Sequence, residues 1–222
     1  MSDPGLSRVL AAGAALLLRP PDATTLAALA ESSGVNLDPG QARQDFYDVL
    51  CVPQSGRYVP PYAHVLSRGR MRNVDWWHFP PPRFDGGDSL APWYDAVGFD
   101  PTQLDVDPLL KGPHRPLDHA GFILAYLAGL AASGETGQTD RTTADPIIAA
   151  FVAAHVGSWL ERFCTLLYAS GSPYLAAVAE AIEEAASSAR SRYLPAESNA
   201  AAVAHRPAYL GDRGTDEHAI ER

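Results

Sequence analysis

Residues 115–130 read RPLDHAGFILAYLAGL: Arg115-Pro116-Leu117-Asp118-His119, then an apolar run that ends near Leu130. A turn-opening proline and an Asp-His step precede a run that no charge interrupts. The spacing predicts a helix from Asp118 through about Ala132. A carboxylate at that start satisfies orphan backbone N–H groups and favours the positive end of the helix dipole. His119, one residue on, either faces a groove and meets a polar ligand or is incidental to the cap.

Working outward, the same helical periodicity recurs. Phe151, His155, Trp159 and Phe163 repeat every four residues and share a face with Val152, Val156, Leu160, Leu166 and Leu167. Asp145-Pro146 reads as a cap followed by proline at the first helical position, which predicts one helix to about Ala169. That stripe is either a core face with one satisfied histidine or a cleft wall containing His155. Ser170-Gly171-Ser172-Pro173 breaks the helix and starts another, to about Arg192. Upstream, helices are expected over Leu6–Leu18, stopped by Arg19-Pro20-Pro21-Asp22, and over Thr24–Ser32, ending at Gly34. A third is expected over Pro39–Leu50, with Phe46, Val49 and Leu50 on its apolar edge and Asp45 and Asp48 on its wetter side. No strand-like alternation of useful length and no internal repeat occurs. The expected architecture is an all-α, single-domain helical bundle over residues 1–194, with a polar, loosely held tail over 195–222.

Between Cys51 and Pro113 the character changes to proline, glycine and aromatic residues. Tyr58-Val59-Pro60-Pro61-Tyr62 forces extended backbone and makes a rigid apolar ridge with hydroxyl handles. A basic knot, Arg68-Gly69-Arg70-Met71-Arg72, precedes Trp76-Trp77-His78-Phe79, and Asp85-Gly86-Gly87 marks a turn. Ser89–Gly98 reads as a short helix carrying Trp93, and 99–112 as loop. A loop-rich stretch of this length is functional or disordered, and its aromatic content argues for order. Tryptophan and tyrosine in such loops are either pinned into the core or offered to a partner.

The 222 residues carry a formal charge of −9, from 26 acidic and 17 basic side chains. An acidic surface argues against nucleic acid and anionic lipid and is compatible with a cationic peptide. The two cysteines, Cys51 and Cys164, are far apart in apolar stretches and read as buried thiols of a reducing compartment. Residues 9–18 are too few to span a bilayer, which takes roughly 20. With no positively charged start at the N-terminus, the expected compartment is the cytoplasm. Phosphate-loop, dinucleotide, zinc-protease and serine-hydrolase motifs are absent. An alternative is a metal-dependent hydrolase of a helical class using Asp118, His119 and His155. Its Asp-His order is the reverse of the His-Asp order that helical metal phosphohydrolases use. A further alternative is a retained subunit of a redox complex.

These residues resemble the TorD/DmsD/NarJ family of chaperones for molybdenum oxidoreductases. The family's Glu-Pro-x-Asp-His helix start is matched by Arg115, Pro116, Leu117, Asp118 and His119. Its His-x-x-x-Trp-x-x-x-Phe helix, followed by proline and an aromatic, is matched by His155, Trp159, Phe163, Pro173 and Tyr174. Its aromatic segment ending in Pro-Pro-Tyr is matched from Leu50-Cys51-Val52-Pro53 through Pro60-Pro61-Tyr62. The likeness covers about Leu6 to Leu194. The Val-Pro-x-Ser-Gly-Arg-Tyr-x-Pro-Pro-Tyr form is similar to the subgroup serving dimethyl sulfide dehydrogenase, ethylbenzene dehydrogenase, and chlorate and selenate reductases. Two departures stand out. Arg115 replaces the family's glutamate, and Gly121, Ile123 and Ala125 occupy the turn where glutamates are common. Asp75, Asp85, Asp88 and Asp95 are the acids available to replace them. The resemblance implies a non-catalytic cytoplasmic chaperone, monomer or homodimer, with no cofactor of its own. It would hold the catalytic subunit of a molybdenum oxidoreductase by its twin-arginine leader peptide until molybdopterin is inserted. Asp118, His119 and Pro116 would sit at the centre of the peptide site, with Tyr62, Trp93 and His155 as its walls.

Overall fold

A computed structural model of the chain describes residues 5–68, 79, 81–83, 85–111, 116–138 and 140–195. Among them the fold is all-α: α1 (Leu6–Leu18), α2 (Ala23–Ser33), α3 (Pro39–Asp45), α4 (Ala63–Arg68), α5 (Ala91–Val97), α6 (Ala120–Glu135), α7 (Arg141–His155), α8 (Ser158–Ala169) and α9 (Pro173–Tyr193). Local chemistry sets several boundaries. Asp22 accepts from the Thr25 N–H, Asp38 from Gln41 and Ser172 from Leu175, each capping the helix that follows. Gly34 ends α2 at φ 68°, a left-handed conformation that glycine takes without steric cost.

The bundle is organised around α6 and α9. Helix α6 is apolar on nearly every side, so it has to be buried, and most of its residues from Ala120 to Ala131 are. Helix α1 lies along it. Their close approach depends on Gly121, where a Cβ would stand 2.6 Å from Leu18 Cγ. Helix α9 touches α1, α2, α3, α7 and α8. Its buried alanines Ala177, Ala179, Ala185, Ala186 and Ala189 let those neighbours come near. Phe46, Phe151 and Phe163 are fully buried, each worth about 1.5–3 kcal/mol relative to exposure. Cys51 and Cys164 are buried thiols not joined in a disulfide, and burial pushes Cys164 well above the ordinary thiol range.

Three expectations are corrected. First, the helix begun at Pro39 does not continue unchanged to Leu50. After Asp45 it widens into a π-helix over Phe46–Cys51, which turns Phe46, Val49, Leu50 and Cys51 all to the core. Asp45 is not on a wet face: it is 2% exposed. Burial raises its carboxyl, but hydrogen bonds from Ser172, Arg57 and Gln41 outweigh burial and hold it below its ordinary value. Second, Asp145-Pro146 does not begin α7. Asp140 caps it through the Thr142 N–H, and Pro146 lies inside the helix. Third, the helix does not run on to Ala169. The backbone breaks at Val156 and Gly157, and α7 and α8 meet at a 60° bend. Among the described residues no single helix is long and apolar enough to cross a membrane.

Candidate functional site

Prolines 60 and 61 do hold the chain extended, and the extended segment pairs with the start of α6. Tyr62 and His119 form an isolated antiparallel bridge. The Ala63 N–H donates to the Asp118 carbonyl at 3.1 Å, and the Ala120 N–H to the Pro61 carbonyl at 2.8 Å. The pairing brings Tyr62, Asp118 and His119 into one corner, with the Tyr62 and His119 rings edge to face at 5.4 Å. Phe122, one turn into α6, closes the other side of the His119 ring at 5.1 Å.

Within this corner the cap passes to the histidine. His119, not Asp118, is the N-cap of α6: its Nδ1 accepts from the Gly121 N–H at 3.0 Å. Nδ1 is therefore an acceptor, and the neutral ring carries its proton at Nε2. Asp118 is turned away from the helix and engages His64. Its carboxylate accepts the His64 N–H at 2.5 Å and lies 2.8 and 2.9 Å from the imidazole Nδ1. The Arg83 N–H donates to His64 Nε2 at 3.0 Å. With Nε2 accepting, the network assigns the proton to Nδ1, directed at the aspartate.

No sequence signal singles out His64. It lies 54 residues from Asp118, and no spacing rule links the two. The turn that covers them, Asp85-Gly86-Gly87, was legible as a turn but not as part of the corner. A Cβ on Gly86 would meet the His64 ring at 2.2–2.7 Å. One on Gly87, at φ 81°, would stand 2.5 Å from the Asp118 nitrogen.

The second wall is separate. Trp93 of α5 stands edge to face against Phe151 at 5.5 Å and His155 at 5.7 Å, both on α7. Burial lowers the pKa of His155. Tyr94, the next residue, faces the corner: its hydroxyl donates to the Leu117 carbonyl at 3.1 Å. Burial, then the charge of Asp118, raises its pKa. Helix α5 thus bridges the two groups, and the Tyr126 hydroxyl fixes it by donating to the Trp93 carbonyl.

The six residues of the expected site differ in exposure. Tyr62, Pro116, Asp118 and His119 are buried, whereas Trp93 and His155 are half-buried and form an edge. Trp159 and Phe163 are core, and the Trp159 indole N–H caps the end of α7 by donating to the His155 carbonyl at 2.9 Å. Asp85, Asp88 and Asp95 are exposed, and Asp85 pairs with Arg83. Arg115, Asp75, residues 69–72 of the basic knot, Trp76-Trp77-His78 and the tail from 196 lie outside the described residues. Among the described residues no group of three or more histidine, cysteine, aspartate or glutamate side chains is placed to hold a metal ion. Comparisons with protein-family models, with curated proteins and with solved structures return no match.

Proposed function

We propose that this protein is a helical chaperone that binds the twin-arginine leader of a molybdenum oxidoreductase subunit, in the cytoplasm, before export. The observation that carries the reading is the pairing of Pro61–Ala63 with Asp118–Ala120. It gathers into one corner Tyr62, Asp118 and His119, which the motif resemblance links to peptide binding.

The chemistry suits such a ligand. A leader has a cationic front and an apolar helical stretch. A carboxylate pairs with guanidinium through charge-assisted, bidentate hydrogen bonds. An aromatic edge such as Trp93 with His155 receives an apolar helix face in helix-in-groove fashion. Because Asp118 is buried and the Trp93 edge is not, the leader meets the edge first and reaches the aspartate after the corner opens. Release before export requires moderate affinity, roughly micromolar, about −8 kcal/mol.

The metal-hydrolase alternative needs Asp118, His119 and His155 on one ion. The geometry favours it less, since His119 Nδ1 is committed to the Gly121 N–H and His155 packs on Trp93.

The test is calorimetric titration with a synthetic twin-arginine leader and with the same peptide carrying glutamines for both arginines. Binding of the first at roughly micromolar Kd, weakened at least tenfold for the second, is expected. Trp93→Ala should also weaken it. Equal affinity for the two peptides, or none for either, defeats the proposal.

A further inference from the structure

Helix α7 turns an uncharged face to solvent. Thr143, Ile147, Ala150 and Ala154 recur at helical spacing, all four are exposed, and no charged residue occurs from Pro146 to Ala154. Helix α9, by contrast, exposes Glu180, Glu184 and Arg192. A helix face that meets water is ordinarily polar or charged.

The uncharged strip continues onto α5. Trp93 packs on Phe151 and His155, the adjoining stripe of α7, and so stands along one side of the strip. Both helices carry an exposed apolar side chain one turn beyond that contact. Ile147, one turn before Phe151, is 38% exposed, and Val97, one turn after Trp93, is 49% exposed. Single apolar side chains on a surface need no explanation, but a run of them joined through an aromatic wall marks an interaction surface.

Charge decides what fits there. At the α5 end, Asp88 and Asp95 are exposed. Burial lowers the pKa of His155, which leaves its ring uncharged at neutral pH. At the far end, Asp140 already accepts from the Thr142 N–H and hydroxyl through its two oxygens, and Arg141 follows it in sequence. The strip is therefore apolar, with its acidity at the Trp93 end. A second copy of a chain of charge −9 would bring like charge to it. A peptide that joins a cationic front to an apolar helix matches both parts.

We propose that Ile147, Ala150 and Ala154 of α7, with Val97 and the Trp93 wall of α5, seat the apolar helix of the leader, its arginines directed to the Asp88 and Asp95 end. The proposal rests on the leader-binding reading and adds to it a second subsite and a direction. From Ile147 to Ala154 the strip is about 10 Å long, roughly two turns. Ala150 and Ala154 present only methyl groups, so the axis of a docked helix can come close.

The test uses the full chain and the variants Ile147→Gln and Ala150→Gln, singly and together. Both positions are exposed, so urea unfolding should match the parent. In calorimetry the double variant should bind the twin-arginine leader roughly tenfold more weakly. A leader carrying a benzophenone side chain midway along its apolar stretch should cross-link, on irradiation, to residues 147–154 of the unaltered chain, a readout that does not depend on the variants. Parental affinity in the double variant, or cross-links confined to residues outside α5 and α7, overturns the seat and leaves the leader-binding reading standing. If the unaltered chain binds no leader, both fall. Self-association of the parent in sedimentation, lost in the variants while leader affinity stays parental, gives the strip to a second copy and overturns the proposal.

Discussion

His119 shows how one side chain can be legible in type and misassigned in role. An Asp-His step before an apolar run reads as an aspartate cap, and aspartate is the stronger capping residue by preference. The bridge between Tyr62 and His119 fixes the backbone so that the imidazole reaches the Gly121 N–H instead. Asp118 is then released to meet a histidine that the sequence places far away. Gly121 is a second case. Its lack of a side chain is plain in the sequence, but its reason, the Leu18 side chain pressed against it, is a long-range contact. Gly121→Ala gains helix propensity of about 1 kcal/mol, yet the added methyl collides with Leu18. A net loss of about 1–3 kcal/mol is expected from overpacking, read from urea unfolding; a variant as stable as the parent would show that α1 yields freely. Asp45 makes a pH-dependent prediction. Its carboxyl is held below its ordinary value of 3.8 in the fold, so its contribution is fully present above pH 3.8 and is lost as acid titrates it. Asp45→Asn should cost about 2 kcal/mol at neutral pH, the scale of hydrogen bonds to a charged group. The gap between variant and parent should close as the pH falls below 3.8, and a gap that stays constant into acid contradicts the assignment.

At the scale of elements, the helices that were legible are those whose apolar spacing and punctuation agree. Leu6–Leu18 is α1 residue for residue, and the helix expected to close at Gly98 does so, with Gly98 left-handed after α5. The errors fall where two signals compete. Asp145-Pro146 has the signature of a helix start, but Asp140 offers the same cap five residues earlier and satisfies Thr142. The four-residue spacing runs through His155 and Trp159 without interruption, so periodicity alone cannot see the break at Gly157 between them. The indole of Trp159 secures that break, its N–H on the last turn of α7 and its ring in the core. Trp159→Ala should therefore cost about 3–5 kcal/mol and Trp159→Phe, which keeps most of the packing, about 1 kcal/mol for the lost hydrogen bond. Chemical denaturation of both variants separates the contributions; equal losses would deny packing the larger share.

For the whole molecule, the net charge of −9 sets how a cationic ligand approaches. Exposed Asp88 and Asp95 flank the Trp93 edge in sequence, and exposed charges act through a screening length of about 10 Å at 0.1 M salt and about 3 Å at 1 M. Affinity for the proposed twin-arginine leader should fall as salt rises across that range, most of the loss appearing in the association rate, as stopped-flow mixing would report. Salt-independent association would mean that the acidic surface takes no part in capture. The Pro61–Ala120 pairing has another outcome at this scale. Tyr62 and His119 lie side by side, like two cords through one eyelet. What runs between is a detour with a fixed mouth, pinned along its way by core side chains such as Leu66, Leu90, Tyr94 and Leu110, so its length can drift only between those pins. Doubling such a detour adds only about 0.6 kcal/mol of closure entropy. Insertions and trimmed versions of this protein should therefore collect between those pins, and leave the bundle itself intact.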